Sequence, residues 1–147
     1  MSRTKPKREA DGVVISQRAA EPVGPYPHAR RAGNLLFVSG TGPRKRGAKE
    51  IPGATLDAQG KVVSYDIEAQ CRSAFENLRY ILEDAGSSWD RIVDVTAFLT
   101  DMNDFAAYNK VYAEHFPPES RPARTTVEVS RLPMSIAVEL KVIATID

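Results

Sequence analysis

The sequence predicts a single α+β domain, a mixed β-sheet with two helices packed on one face. Three observations carry this reading. Residues 66–85 and 104–116 repeat apolar positions at the spacing of amphipathic helices. Runs such as 92–99 and 137–145 alternate in the two-residue period of half-buried strands. The two patterns interleave along 147 residues, a length that suits one domain with its own core.

Residues 1–12 are polar and charged without periodicity and read as a flexible basic tail, leaving 13–147 as the domain. Val13-Val14-Ile15-Ser16 is a short β-prone run. From Glu21 to Pro27 the chain must be loop, because Pro22, Pro25 and Pro27 each lack the N–H a ladder needs. Ala29-Arg30-Arg31, the turn signal Gly33-Asn34 and Leu35 to Ser39 then form a hairpin. Gly40 to Gly60, rich in glycine and holding Pro43 and Pro52, reads as a long loop, with a short strand near Val62-Val63.

Asp66 to Ala85 is the clearest helix. Ile67, Cys71, Ala74, Leu78, Ile81, Leu82 and Ala85 fall on one face, Asp66 suits the N-cap, and Gly86 suits the left-handed position beyond the end. Cys71 lies on that stripe and is expected in the core. Ile92 to Leu99 is a strand. Asp104 to Phe116 is the second helix, with Phe105, Tyr108, Val111, Tyr112 and Phe116 inward and Pro117-Pro118 as its stop. Thr125–Val129 and Ala137–Thr145 close the chain as strands, Ile136, Val138, Leu140, Val142, Ala144 and Ile146 sharing one face. Two helices cover one face of such a sheet; further copies of the chain are the expected cover for the other.

Several function classes fall away. No run approaches the roughly 20 apolar residues of a spanning helix, and the basic N-terminus is followed by no apolar signal segment, so a cytoplasmic location is expected. One cysteine forms no internal disulfide, and His28 and His115 alone make no zinc site. Phosphate loops, Gly-x-Ser-x-Gly elbows and dinucleotide fingerprints are missing. The net charge of +1 hides a split: residues 1–50 hold eleven Lys and Arg against four acids, a surplus of +7, so the remainder carries −6. That surplus fits nucleic acid, an anionic small molecule or a solvated surface.

The candidates for chemistry are polar groups at positions a packed domain rarely gives them. Glu139 interrupts the apolar final strand on the face opposite Val138 and Leu140, where burial would make it a general base toward water; the alternative is a wet face and a pairing with Lys141. Arg124 opens a strand after Pro122-Ala123, and guanidinium suits bidentate contact with a carboxylate, although a surface role fits the same position. Tyr26 stands between two prolines that fix its ring. Ser39 ends a strand before Gly40-Thr41-Gly42, where bare backbone can approach a ligand or merely turn.

Gly24-Pro25-Tyr26, Phe37-Val38-Ser39-Gly40, Asp101-Met102-Asn103-Asp104-Phe105 with Asn109, Pro122-Ala123-Arg124, and Arg131-Leu132-Pro133 before the Glu139 strand follow one another in a single chain. Together they resemble the Rid (reactive intermediate deaminase, YjgF-type) family from about Val13 to Ile146. The resemblance implies a chorismate-mutase-like fold and a homotrimer with ligand sites between subunits, the pairing of trimers into hexamers being left open. It also implies hydrolysis of enamines and imines to a carbonyl compound and ammonia, with no metal and no organic cofactor. By the same resemblance Arg124 holds the substrate carboxylate, Glu139 positions and activates water, and Tyr26, Ser39, Gly40 and Asn109 line the pocket. Two positions depart from the better-known members: Thr126 stands where many carry cysteine, and Lys141 replaces a second acid.

Pro25-Tyr26-Pro27-His28-Ala29-Arg30-Arg31 with Ser39-Gly40-Thr41-Gly42-Pro43-Arg44 resembles the 2-aminomuconate deaminase branch. Its substrate carries two carboxylates, and a site for it benefits from more positive charge than one arginine supplies. His28 and Arg44 are the expected additions to the substrate-binding set, with Thr126; Arg30 and Arg31 cannot both face a cleft from an extended strand. The expected function is therefore hydrolysis of 2-aminomuconate to the 2-oxo or enol dicarboxylate in aromatic-compound catabolism. A general deaminase of 2-aminoacrylate-type intermediates and a non-catalytic small-carboxylate-binding protein are the alternatives. Neither membrane nor nucleic acid is an expected partner, since few aromatics interleave with the basic residues.

Overall fold

A computed structural model describes residues 11–147; apart from Asp11 and Gly12, the tail expected over 1–12 lies outside the described residues. Strands β1 (Val13–Val14), β2 (Ala29–Ala32) and β3 (Leu35–Thr41) lead into a small hairpin, β4 (Ala54–Leu56) and β5 (Val62–Tyr65). Helix α1 (Ile67–Asp84), β6 (Ile92–Leu99), α2 (Phe105–His115), β7 (Ala123–Glu128) and β8 (Val138–Thr145) complete the chain. The main sheet runs β1-β2-β3-β8-β6-β7, and β4 with β5 forms a separate pair. Only β6 and β7 are parallel, as the crossover through α2 requires.

The caps predicted for α1 are present: Asp66 Oδ1 accepts from the Ala69 N–H at 3.2 Å, and Gly86 takes φ +87° just past the end. The core lies between this helix pair and the sheet. Val138, Leu140, Val142 and Ala144 of β8 are buried against it, with Val95, Ala97 and Leu99 of β6 beside them. Phe75, Tyr112 and Phe116 join α1 to α2 edge-on, and Trp89 stacks on Phe116 at 4.9 Å. Cys71 is buried, and burial pushes its thiol up to about 12, so it stays a protonated core residue.

Three expectations change. The stretch read as a loop with one short strand holds the two-stranded β4–β5 hairpin, whose Asp66 N–H to Gly53 carbonyl bond at 2.7 Å ties it to the start of α1. Phe105 is 38% exposed instead of inward, because α2 begins there, after the turn Met102–Asp104. Strand β7 starts two residues earlier than predicted and β8 one later.

The sheet has one irregularity near its middle. Between the pairs Val38↔Val142 and Thr41↔Leu140 the β3–β8 register shifts, so Ser39 and Gly40 stand opposite Lys141 alone. The Lys141 ammonium donates to the Val38 carbonyl at 2.6 Å within this bulge.

Candidate active site

Glu139 lies on β8 with its side chain on the face away from the helices, since its neighbours Val138 and Leu140 are buried on the helix side. Gly40, in the bulge, faces it closely: a Cβ on Gly40 would stand 2.9 Å from the Glu139 carboxyl carbon. Only glycine leaves that carboxylate its place. Burial raises the Glu139 pKa above the ordinary carboxylate range. Around it a small cavity of about 70 Å³ is bordered by Tyr26, Ser39, Gly40, Arg44 and Met134, among others.

The walls of this cavity are stitched by backbone-directed side chains. Ser39 Oγ donates to the Pro27 carbonyl at 2.7 Å, and Tyr26 Oη accepts from the Val23 N–H at 3.2 Å. His28 is buried, its Nδ1 3.0 Å from the Ser16 N–H and its Nε2 2.8 Å from the Ala20 carbonyl. Nδ1 is thus the acceptor and Nε2 carries the proton, and His28 fastens the 16–20 segment with both nitrogens instead of turning one to a ligand. Arg44 borders the cavity, but its guanidinium donates to the Glu21 carbonyl. Arg30 and Arg31 lie exposed on β2, and Arg31 Nε donates to the Gly33 carbonyl.

Arg124 belongs to another place. Its strand partner across β6 is Val95, a buried residue, so its side chain points to the helix face. There its guanidinium donates to Asn109 Oδ1 at 2.8 Å and lies 4.6 Å from the Tyr112 ring centre, 5.1 Å from Tyr108 and 5.7 Å from Phe105. Three aromatic faces and an amide fix the orientation of this cation. A cleft of about 420 Å³ opens beside it, lined by Asn109, Tyr112, Ala113, Arg121, Pro122 and Arg124. Thr126 lies two residues on along the same face of β7, its Oγ1 buried with no hydrogen-bond partner.

Within one chain the predicted residues therefore fall into two groups. Tyr26, Ser39, Gly40 and Glu139 form one; Asn109, Arg124 and Thr126 form the other. Strand β6 separates the strands of Glu139 and Arg124, and the two side chains point to opposite faces. That places them about 10 Å apart across the sheet before its thickness is counted.

The family described as Endoribonuclease L-PSP matches residues 16–146. A RutC family protein of Pyrococcus horikoshii is 45% identical over 133 residues, 90% of this chain and 95% of that protein. This chain belongs to the Rid/YjgF/L-PSP family. The chloroplastic Reactive Intermediate Deaminase A of Arabidopsis thaliana is 35% identical over 134 residues, 91% of this chain and 65% of that protein. The crystal structure of E. coli TdcF with bound serine superposes with a TM-score of 0.78 at 34% identity, covering 92% of this chain and 98% of that one.

Two features of this Rid-family chain escape its sequence. Asn77, buried on α1, donates to the Gly42 and Arg44 carbonyls at 2.9 and 2.6 Å and accepts from the Ala20 N–H at 3.1 Å. It holds two walls of the Glu139 cavity at once, and at its helix position it reads as an ordinary polar residue beside the apolar stripe. Arg121 shares the cleft of Arg124, and before a Pro-Ala-Arg string it reads as surface. Among the described residues no group of three or more His, Cys, Asp or Glu could hold a metal ion, and no helix is long and apolar enough to cross a membrane.

Proposed function

We propose that this protein hydrolyses 2-imino and 2-enamino carboxylates to the 2-oxo acid and ammonia, at sites shared between neighbouring copies in a homotrimer. The observation that carries this reading is the separation of Glu139 from Arg124. A carboxylate anchor and a water-activating base serve one small substrate only when a second copy brings its Arg124 group against the Glu139 group of the first. The uncovered sheet face supports such an assembly, since Phe37 and Val127 stand exposed on it.

The chemistry needs little more than position and proton transfer. The substrate carboxylate pairs with the fixed Arg124 guanidinium. An enamine first tautomerises to the imine, losing a proton from nitrogen and gaining one at the β-carbon; water then adds through oxygen to the electrophilic imine carbon and gives a proton to the Glu139 carboxylate. The protonated Glu139 returns it to the nitrogen to give the carbinolamine, and transfer of the hydroxyl proton to the same nitrogen breaks the C–N bond, so that ammonia leaves as the carbonyl forms. The raised pKa of Glu139 strengthens it as the acceptor in the first step. The name of the Arabidopsis relative and the serine bound to TdcF, itself a small amino carboxylate, agree with this class.

Within the class we infer 2-aminomuconate as the narrower substrate and aromatic-compound catabolism as its setting. The Pro-His-Ala-Arg-Arg resemblance supports this, together with the excess of arginine over carboxylate near the Arg124 cleft. Ammonia release from freshly generated 2-aminoacrylate and 2-aminomuconate tests both levels. Acceleration of either over the spontaneous rate is expected, with Glu139→Gln and Arg124→Met each losing about 100-fold or more in kcat/KM. A fully active Glu139→Gln refutes the assigned base. The family description favours a second reading, RNA cleavage. Cleavage of a single-stranded RNA, with affinity falling steeply with salt, would replace the hydrolase reading if no enamine is turned over.

A further inference from the structure

We propose that Arg121 is a specificity-determining residue, the cation that takes the distal carboxylate of a dicarboxylate substrate whose proximal carboxylate lies on Arg124. The inference rests on the hydrolase reading and assigns the second charge to a different end of the site from Arg44.

The Arg124 cleft is lined by two guanidiniums, the Asn109 amide and Tyr112, and by no acid. Three arginines elsewhere meet carboxylates, Arg18 with Asp84 and Glu83, Arg72 with Glu68 and Glu114, Arg91 with Asp147. Arg121 and Arg124 form no ion pair with a described carboxylate. Arg121 donates from Nε to the Phe116 carbonyl at 3.0 Å, which fixes the plane of its fork and leaves its terminal amino groups for another acceptor. Arg124 commits one amino group to Asn109.

Tyr112 supplies an independent sign of a ligand. It is 6% exposed, it lines the cleft, and its hydroxyl is buried with no hydrogen-bond partner. Such a group is costly unless something bonds it. Burial raises the Tyr112 pKa, the Arg124 and Arg121 charges pull it down and the Asp94 carboxylate adds a smaller upward push, so both guanidiniums lie near this phenol and outweigh the one acid close to it. Two cations and a donor hydroxyl, with no carboxylate lining the cleft itself and its volume large enough for a small organic molecule, describe an anion site with room for two carboxylates.

Arg121 and Arg124 leave the backbone at different points beside the cleft, one ahead of the strand and one within it. Arg121 is extended, at φ −66° and ψ 131°, ahead of Pro122, as a residue before proline prefers. Three residues on, Arg124 lies within about 10 Å of it along the chain. Two guanidiniums carried by different residues of one cleft allow each to meet one carboxylate of a short, stiff diacid. The Glu139 cavity is a poorer place for the second charge: it is small, Glu21 borders it with Arg44, and the Glu21 carbonyl already holds that guanidinium.

The test compares trans,trans-muconate with sorbate, which keeps the six-carbon diene and one carboxylate but ends in a methyl group. Binding of each to the full chain is measured by calorimetry, and turnover of 2-aminomuconate against 2-aminoacrylate is measured in parallel. Muconate should bind about 10- to 100-fold tighter than sorbate. Arg121→Met should bring that ratio within about threefold and raise the KM for 2-aminomuconate about tenfold more than the KM for 2-aminoacrylate. Arg121→Lys, which keeps the charge and loses the Phe116 bond, should retain most of the preference. Equal binding of the two acids by the wild type, an unchanged ratio in Arg121→Met, or a Lys variant as impaired as the Met variant overturns the assignment. Absence of any enamine turnover sinks the hydrolase reading and leaves the muconate-to-sorbate ratio to decide the subsite.

Discussion

A carboxylate loses hydration when buried and regains little unless a cation or several donors face it. Glu139 is in that position. Lys141, two residues along the same face, spends its ammonium on the Val38 carbonyl, and burial lowers the Lys141 pKa as it raises that of Glu139. A group whose folded pKa exceeds its unfolded one binds more protons when folded, so its contribution to stability is complete below the unfolded value and is lost as pH rises through the folded value. Glu139→Gln carries no such charge. Its Tm should match the wild type at about pH 4 and exceed it at about pH 8. The same variant should lose activity, exchanging function for stability. Paired melting curves across that range check this; a Tm difference that stays constant or reverses sign contradicts the unpaired buried carboxylate.

Helix α1 does more than cover the sheet. Along one ridge Gln70 Oε1 accepts from the Ala137 N–H at 2.8 Å, Ser73 Oγ donates to the Pro43 carbonyl at 2.6 Å, and Asn77 bonds Gly42, Arg44 and Ala20. The ridge pins the backbone entering β8 and both loops around the Glu139 cavity. Asn77→Leu keeps the volume and strands three half-buried backbone groups, so it should cost about 2 kcal/mol and lower the Tm by roughly 6 °C. The loss of kcat/KM should exceed that of an Arg18→Met variant, whose ion pairs with Glu83 and Asp84 lie on the surface. An Asn77→Leu protein as stable and active as the wild type removes the ridge from the mechanism. The apolar stripe and caps of α1 are legible in the sequence because periodicity and capping are local. Its polar ridge is not, since which polar residue faces a loop depends on tertiary packing. Strand β5 is legible at Val62-Val63, but its partner β4 is obscured by the glycines and prolines around it. Phe105 reads as core because it is apolar, yet its ring lies near the Arg124 cation. Glu139 stands out where charge interrupts an apolar strand and Arg124 where a guanidinium opens a strand after Pro122-Ala123, whereas Arg121 becomes informative only once the cleft beside it is known.

At the scale of the molecule, the question is whether one chain carries a whole site. The sheet puts Glu139 and Arg124 on opposite faces with β6 between their strands, and no side-chain rotation crosses a sheet. A shared site makes a prediction that a single-chain site cannot meet. On the proposed mechanism, Glu139→Gln and Arg124→Met chains should each be inactive alone. In a mixed ring, the interface joining the Glu139 group of an Arg124→Met chain to the Arg124 group of a Glu139→Gln chain has both residues intact. Random reassembly of equal amounts makes about one interface in four of this kind, so about a quarter of wild-type activity should return. The variants are mixed after mild dissociation and reassembled, and ammonia release is followed with the recovered oligomer mass. Reassembly to the wild-type mass without recovered activity contradicts a site divided between copies. A Phe37→Glu variant provides the converse. A buried unpaired carboxylate on the exposed sheet face opposes association, so this chain should remain a monomer, folded through its helix-side core but inactive even with Glu139 and Arg124 both present.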